Sequence, residues 1–186
     1  ITGHWAPTLE SYPGLGVIAR PMQVTEAGRA AAAEARRASA GTGGALPCEP
    51  FPPPFISLFP DLRTIEVNGA TVVMRFEGAI GVPMERVVQL NQDAHPVGVT
   101  PSLMGHSIGR WEADTLVVDT TNFNDGGGFY GDAGGNFGWD RNLHLVERFS
   151  LLDKDTLLYR FEVDNPTAFT QPWKGELTMT RSTGPM

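Results

Sequence analysis

From residue 55 to residue 182 the chain breaks into short runs rich in Val, Ile, Leu, Thr and aromatics. Turn residues cut these runs at roughly 8–12-residue intervals, the spacing of a β-sandwich or barrel. The predicted strands are Ile56–Leu58, Leu62–Val67, Thr71–Glu77, Glu85–Leu90, Ser107–Glu112, Leu116–Thr121, Leu143–Leu151, Thr156–Val163 and Glu176–Arg181. Asn68-Gly69 is a strong signal for a two-residue hairpin. Ala113-Asp114 and Asp153-Lys154-Asp155 are tight polar connections of the same kind. Strands joined so closely must be antiparallel. A meander of this length exposes its edges unless it closes, so a barrel is expected.

The first third of the chain reads differently. Thr25 can cap a helix whose Ala-, Glu- and Arg-rich body runs to about residue 39. Without large apolar residues, that helix should lie on alanine contacts across the surface or over one barrel end. A Gly- and Pro-rich linker is expected over 40–54, then the meander over 55–182, all within one domain spanning 1–186. The opening Gly3-His4-Trp5 resembles the first strand of lipocalin and avidin-type (calycin) barrels. That resemblance implies a mostly β, antiparallel calycin-like (lipocalin-like) barrel with one short helix and Trp5 plugging its closed end.

Charge excludes several partners. The formal net charge is −7, and no Lys/Arg cluster exceeds Arg36-Arg37. A nucleic-acid binder needs a basic face to displace counterions, and an anionic membrane surface needs the same. No apolar run approaches the ~18 residues of a spanning helix. The single cysteine, Cys48, can form neither an internal disulfide nor a thiolate cluster. Its flanking prolines suggest an unreactive loop thiol. The start at Ile1 rather than Met suggests that a leader precedes the sequence.

Two runs concentrate polar side chains. In Met104–Glu112, His106, Ile108, Arg110 and Glu112 share one face of a strand, with Ser107, Gly109 and Trp111 on the other. In Asn142–Phe149, His144, Val146 and Arg148 face away from Leu143, Leu145, Glu147 and Phe149. If the histidine faces line the barrel interior, two imidazoles and two guanidiniums meet in one cavity. His106 and His144 would then act as acid and base, and Arg110 or Arg148 would hold an anionic oxygen. The competing possibility is surface ion pairs and histidines satisfied by the backbone, because alternation alone does not say which face is inward. His95 and His4 are weaker candidates. There is no His-x-His, no His-Glu-x-x-His and no paired Cys, so neither a metal nor a cofactor is expected. Gly105–Gly109 matches the spacing of a serine nucleophile elbow, but a β hairpin follows it instead of the required helix.

The stretch from Asn122 to Asn142 mixes glycines with Phe123, Phe129, Tyr130, Phe137 and Trp139. A long irregular loop of this kind is expected to act as a lid. Phe129, Tyr130, Phe137, Trp139 and, from the Ser107–Glu112 strand, Trp111 would contact an apolar or aromatic substrate. A loop folded on its own aromatics is the alternative.

Met104–Glu112 with Asp114–Thr120 is similar to the hallmark of a family of signal-peptide-bearing bacterial proteins with no assigned activity. Leu143–Phe149, Ala168–Trp173, Val24–Gly28 and Pro47-Cys48 match the same family, covering nearly the whole chain. The resemblance implies export, to the periplasm or beyond. Members carry a Gly-His-Pro-His-Ser/Thr-Glu run where this chain has Gly134–Arg141, so two histidines and an acid are replaced, with aromatics in their place. Members also extend past Met186 to a second Cys. The function expected is a small-molecule pocket protein, foremost a cofactor-independent isomerase, cyclase, lyase or hydratase. A lipocalin-like carrier and a structural envelope protein are the alternatives.

Overall fold

A computed structural model of the chain describes residues 1–7, 17–18, 23–41, 52–57, 63–76, 84–127, 129–132 and 135–182. Its strands are β1 (Gly3–Pro7), β2 (Val17–Ile18), β3 (Arg63–Asn68), β4 (Thr71–Phe76), β5 (Met84–Gln89), β6 (His106–Glu112) and β7 (Thr115–Thr121). The remainder are β8 (Phe129–Asp132), β9 (Gly135–Gly138), β10 (His144–Leu151), β11 (Thr156–Asp164) and β12 (Trp173–Arg181), and the helix is α1 (Glu26–Gly41). Nine strands form a ring in the order β1-β3-β4-β5-β6-β7-β10-β11-β12, closed by pairing of β1 with β12. The fold is therefore the mostly β barrel, with one α-helix among the described residues, that the strand spacing and the Thr25 cap predict. Closure leaves the ring no free edge.

One pairing departs from the antiparallel rule. β5 and β6 run parallel, in register over Val88↔Ser107 and Gln89↔Ile108. A parallel neighbour cannot be reached by a tight turn. Residues 90–105 therefore return along the barrel and are tied down beside β7: Asn122 Nδ2 donates to Val99 O at 3.2 Å, and Asn124 N donates to Ser102 O at 2.9 Å. That return path brings His95 to His106 on β6 and Asp119 on β7.

The helix forms where its cap predicts. Gly28 N donates to Thr25 Oγ1 at 2.9 Å, satisfying one of the free amides of the first turn. Thr25 also anchors the helix to the β11–β12 connection, its N–H donating to Ala168 O at 2.9 Å and its hydroxyl to Thr167 O at 2.6 Å. Gly28 allows this close approach, because a Cβ there would sit 2.5 Å from Ala168 O. Ala32 is fully buried, so the docking does use alanine contacts.

Trp5 is fully buried, with its indole N–H donating to Ile1 O at 2.8 Å. The Arg181 guanidinium lies 4.3 Å over its ring. Such a contact, worth about 0.5–2 kcal/mol, sits where β1 and β12 close the ring.

Two sequence expectations need correction. Ile56–Leu58 is not a strand: a 3-10 turn covers Phe55–Ser57, and Leu58 lies outside the described residues. The prolines before it favour the turn, whose bonds run from Ile56 N to Pro52 O and from Ser57 N to Pro54 O. At the end of the 40–54 linker, Pro52, Pro53 and Pro54 are buried. Cys48 lies outside the described residues. The segment 122–142 is not irregular throughout, because β8 and β9 pair as a hairpin from Phe129↔Gly138 to Asp132↔Gly135.

Gly109 faces the interior, where a Cβ would meet Val88 Cγ1 at 2.7 Å and Leu90 Cδ2 at 3.0 Å. Gly109→Ala should therefore destabilise the fold by about 1–3 kcal/mol through overpacking, measured by urea unfolding.

Candidate functional site

Burial alternates along the two motif strands and identifies the inner face. On β6, Ser107 and Gly109 are buried while His106, Ile108 and Arg110 are not. On β10, Leu145, Glu147 and Phe149 are buried while His144, Val146 and Arg148 are not. His106, Arg110, His144 and Arg148 thus lie on the outer wall, contrary to the expectation that they line the interior. The reason is the apolar majority opposite them: Leu143, Leu145 and Phe149 belong to the core cluster.

The two histidines do share one face, and they belong to one cluster. β7 lies between β6 and β10, with Asp119 paired to Ile108 on one side and Val146 on the other. His106 and His144 are therefore diagonal neighbours of Asp119 on the outer surface. His144 Nε2 is 3.0 Å from Asp119 Oδ1. The return segment supplies a third imidazole. His95 Nε2 lies 3.1 Å from the same Oδ1, and its Nδ1 lies 2.9 Å from His106 Nδ1. The result is an unbroken chain, His106–His95–Asp119–His144.

The chain constrains proton positions. A carboxylate can only accept, so His95 Nε2 carries a hydrogen. With His95 neutral, its Nδ1 accepts from His106 Nδ1–H, and the His106 lone pair resides on Nε2. That nitrogen has no hydrogen bond among the described residues. Burial, with His95 second, holds His106 below its ordinary pKa, favouring the neutral base. Asp119 and His95 are 27% and 21% exposed, so the relay is shielded, whereas His144 at 45% is open to solvent. Among the described residues, no group of His, Cys, Asp and Glu is arranged to hold a metal ion.

The other expected site residues are dispersed. Arg110 and Arg148 both bind Glu112, at 2.6 Å and 2.7 Å, a surface bridge of modest value. Trp111 stands 43% exposed near the β6–β7 turn, five residues along the strand from His106, or roughly 17 Å. It does not join the histidines. Trp139 is buried in the core instead of lying on a lid. Phe129, Tyr130 and Phe137 sit on the β8–β9 hairpin, and their side chains lie outside the described residues. The connection carrying them runs from the end of β7 to the start of β10, leaving the barrel at the same end as His106 and His144.

The interior holds a second polar network, which the sequence reading missed. Arg86 and Glu147 form an ion pair at 2.5 Å with side chains 1% and 0% exposed. Arg86 Nε donates to Ser107 Oγ at 3.0 Å, and its Nη2 also donates to Thr120 Oγ1 at 2.6 Å. Ser107 and Thr120 hydroxyls are 3.0 Å apart. Tyr159 OH donates to Glu147 Oε1 at 2.8 Å. Burial, then the Glu147 charge, push the Tyr159 phenol well above its ordinary pKa, so it remains a donor. Arg86 Nη1 is buried without a hydrogen-bond partner. Leaving such a donor unmet costs about 1–3 kcal/mol, more on a charged group.

No protein-family model matches the sequence, and no curated protein matches it. Among solved structures, the chain is similar to apo lipid binding protein 8 of Caenorhabditis elegans, with 8% identity and TM-score 0.45, covering 97% of this chain and 94% of that one. It is similar to a point mutant of the fluorescent protein UnaG, with 11% identity and TM-score 0.42, covering 98% and 96%. It is also similar to a secretory abundant heat soluble protein of Ramazzottius varieornatus, with 11% identity and TM-score 0.37, covering 97% and 94%. These likenesses concern the course of the chain alone.

Two outcomes follow from the networks. Glu147→Leu strands the buried Arg86 charge and should cost roughly 3–5 kcal/mol, read from the urea midpoint. His106 has a lowered folded pKa, so the unfolded chain takes up its proton first as pH falls. Its effect on stability is constant above about pH 6.5, the ordinary histidine value, and becomes destabilising as pH drops toward the folded value. Wild-type protein should therefore lose more stability between about pH 7.5 and pH 5.5 than His106→Gln, in paired denaturant titrations.

Proposed function

We propose that this is a small-molecule enzyme that works by acid–base chemistry without a cofactor, with His106 as the base. The observation that carries the reading is the chain from His106 through His95 to Asp119. A base needs an available lone pair, a neutral resting state and a partner that steadies the charge it acquires. His106 Nε2 meets the first need and the lowered pKa the second. His95, with its Nε2–H held by Asp119, meets the third, the role an orienting carboxylate plays beside a catalytic imidazole.

The balanced step is a proton abstraction. His106 Nε2 takes a proton from a C–H next to a carbonyl, and the electron pair moves to the carbonyl oxygen as an enolate. Return of the proton at another carbon gives isomerisation, and loss of a group beta to the carbonyl gives elimination. His144, on the same carboxylate and open to solvent, is placed to exchange protons with water. Arg110 and Arg148 are engaged by Glu112 and take no part in this scheme. The reading includes export to the periplasm or beyond, which rests on the sequence resemblance alone.

The test does not require the natural substrate. In deuterium oxide with a panel of small ketones, enones and carboxylic acids, wild-type protein should accelerate C–H exchange beside the carbonyl of at least one member, read by proton NMR. His106→Gln should slow that exchange by roughly 10²–10⁴. Exchange no faster than in buffer across the panel, or exchange that survives the substitution, removes the case for catalysis.

A further inference from the structure

The barrel interior presents hydrogen-bond donors that no described residue accepts, and we propose that they form a binding site for a neutral carbonyl oxygen on an aromatic molecule. Arg86 lies on β5 between Met84 and Val88, all three turned inward and buried. Its guanidinium has five N–H groups. Nε–H goes to Ser107, and the two hydrogens of Nη2 go to Thr120 and Glu147. Both Nη1 hydrogens remain. The hydroxyls of Ser107 and Thr120 each accept from Arg86 and share one hydrogen between them, which frees the other hydroxyl hydrogen to donate. On the acceptor side, Glu147 Oε2 takes Arg86 and Oε1 takes Tyr159. The network thus has donors to offer and its carboxylate already engaged. The group it selects is an acceptor.

Charge decides which acceptor. Arg86 and Glu147 already cancel, both within the dry interior. A carboxylate added beside them would bring an uncompensated charge into that interior, whereas a ketone, ester or amide oxygen brings none. The surroundings specify the rest of the molecule. Tyr159, which bonds Glu147, lies 4.9 Å from Phe149 and 5.5 Å from Phe161 between ring centroids, and Phe161 lies 5.6 Å from Trp173. This aromatic column leads from the polar network along the inner wall and suits a planar, apolar body. The site is independent of the acid–base reading, because Arg86 faces inward and His106 outward.

Three probes of one shape test it: acetylnaphthalene, ethylnaphthalene and naphthoate, with binding followed by fluorescence and ligand-observed NMR. Wild-type protein should bind the ketone about tenfold or more tighter than the hydrocarbon, the worth of one hydrogen bond to a charged donor. It should also prefer the ketone to the carboxylate. Arg86→Lys keeps the charge opposite Glu147 but has no second nitrogen, and it should bind ketone and hydrocarbon alike. Arg86→Met combined with Glu147→Gln, which leaves no buried charge, should do the same and serves if the lysine variant fails to fold. Equal affinity for ketone and hydrocarbon in the wild type, no binding of either, a preference for naphthoate, or a ketone preference that survives in both variants would overturn the proposal. His106→Gln should leave ketone binding unchanged, so failure here is separable from failure of the exchange test.

Discussion

The ion pair between Arg86 and Glu147 holds together a ring that is weak at one seam. β5 and β6 are the only parallel neighbours among the described strands of the ring, and they are in register at two residue pairs. Most antiparallel seams of the ring run over five to eight pairs. Arg86 sits on one side of the short seam and bonds Ser107 on the other, then reaches on to Thr120 on β7 and Glu147 on β10. Tyr159 extends the network to β11. Five strands are thereby fastened by side chains where the backbone ladder is shortest. Such a pair adds little over a well-packed apolar replacement, yet losing one partner is costly. Its value here is that it fixes one arrangement of the seam.

The outer surface reinforces the same seam by a different route. The parallel pairing obliges residues 90–105 to travel back along the barrel, and this brings His95 to His106 and Asp119. The imidazole chain is thus a consequence of topology. Had β5 and β6 been joined by a tight turn, His95 would have had no path to β7. Asn122 and Asn124, holding Val99 and Ser102, keep the return segment in place.

Strand positions were legible because the turn chemistry is explicit: Asn68-Gly69 and Asp153–Asp155 give little choice of where a strand stops. The direction each strand faces was not. On β5 the buried residue is Arg86 and the exposed one Val87, the reverse of what hydrophobicity alone suggests. On β10 the buried Glu147 stands between Leu145 and Phe149, and those two aromatic and aliphatic neighbours were the available sign that the odd positions point inward. Asp119, the centre of the outer cluster, carried no local signal: it lies in an apolar run, and its two partners, His95 and His144, come from two separate segments. The β8–β9 hairpin escaped because its strands are four residues long and rich in glycine, which weakens any strand signal.

The two polar networks use adjacent residues of the same strands. His106 and Ser107, and Asp119 and Thr120, are neighbours in sequence that point to opposite faces of one wall. A one-residue slip of β6 against β7 would reverse the faces of β6, taking Ser107 from Arg86 and Thr120 on the inside and His106 from His95 on the outside. Each network therefore protects the register that the other requires. The apolar core could tolerate many substitutions of similar volume, but neither polar set has that freedom, since its bonds depend on which face each side chain occupies. The wall also separates the two chemistries. In the proposed reading the outer chain, open to solvent at His144, serves proton transfer, while the inner donors lie in a buried, charge-balanced interior. A neutral acceptor inside and a proton acceptor outside need not compete, because the backbone of β6 and β7 stands between them.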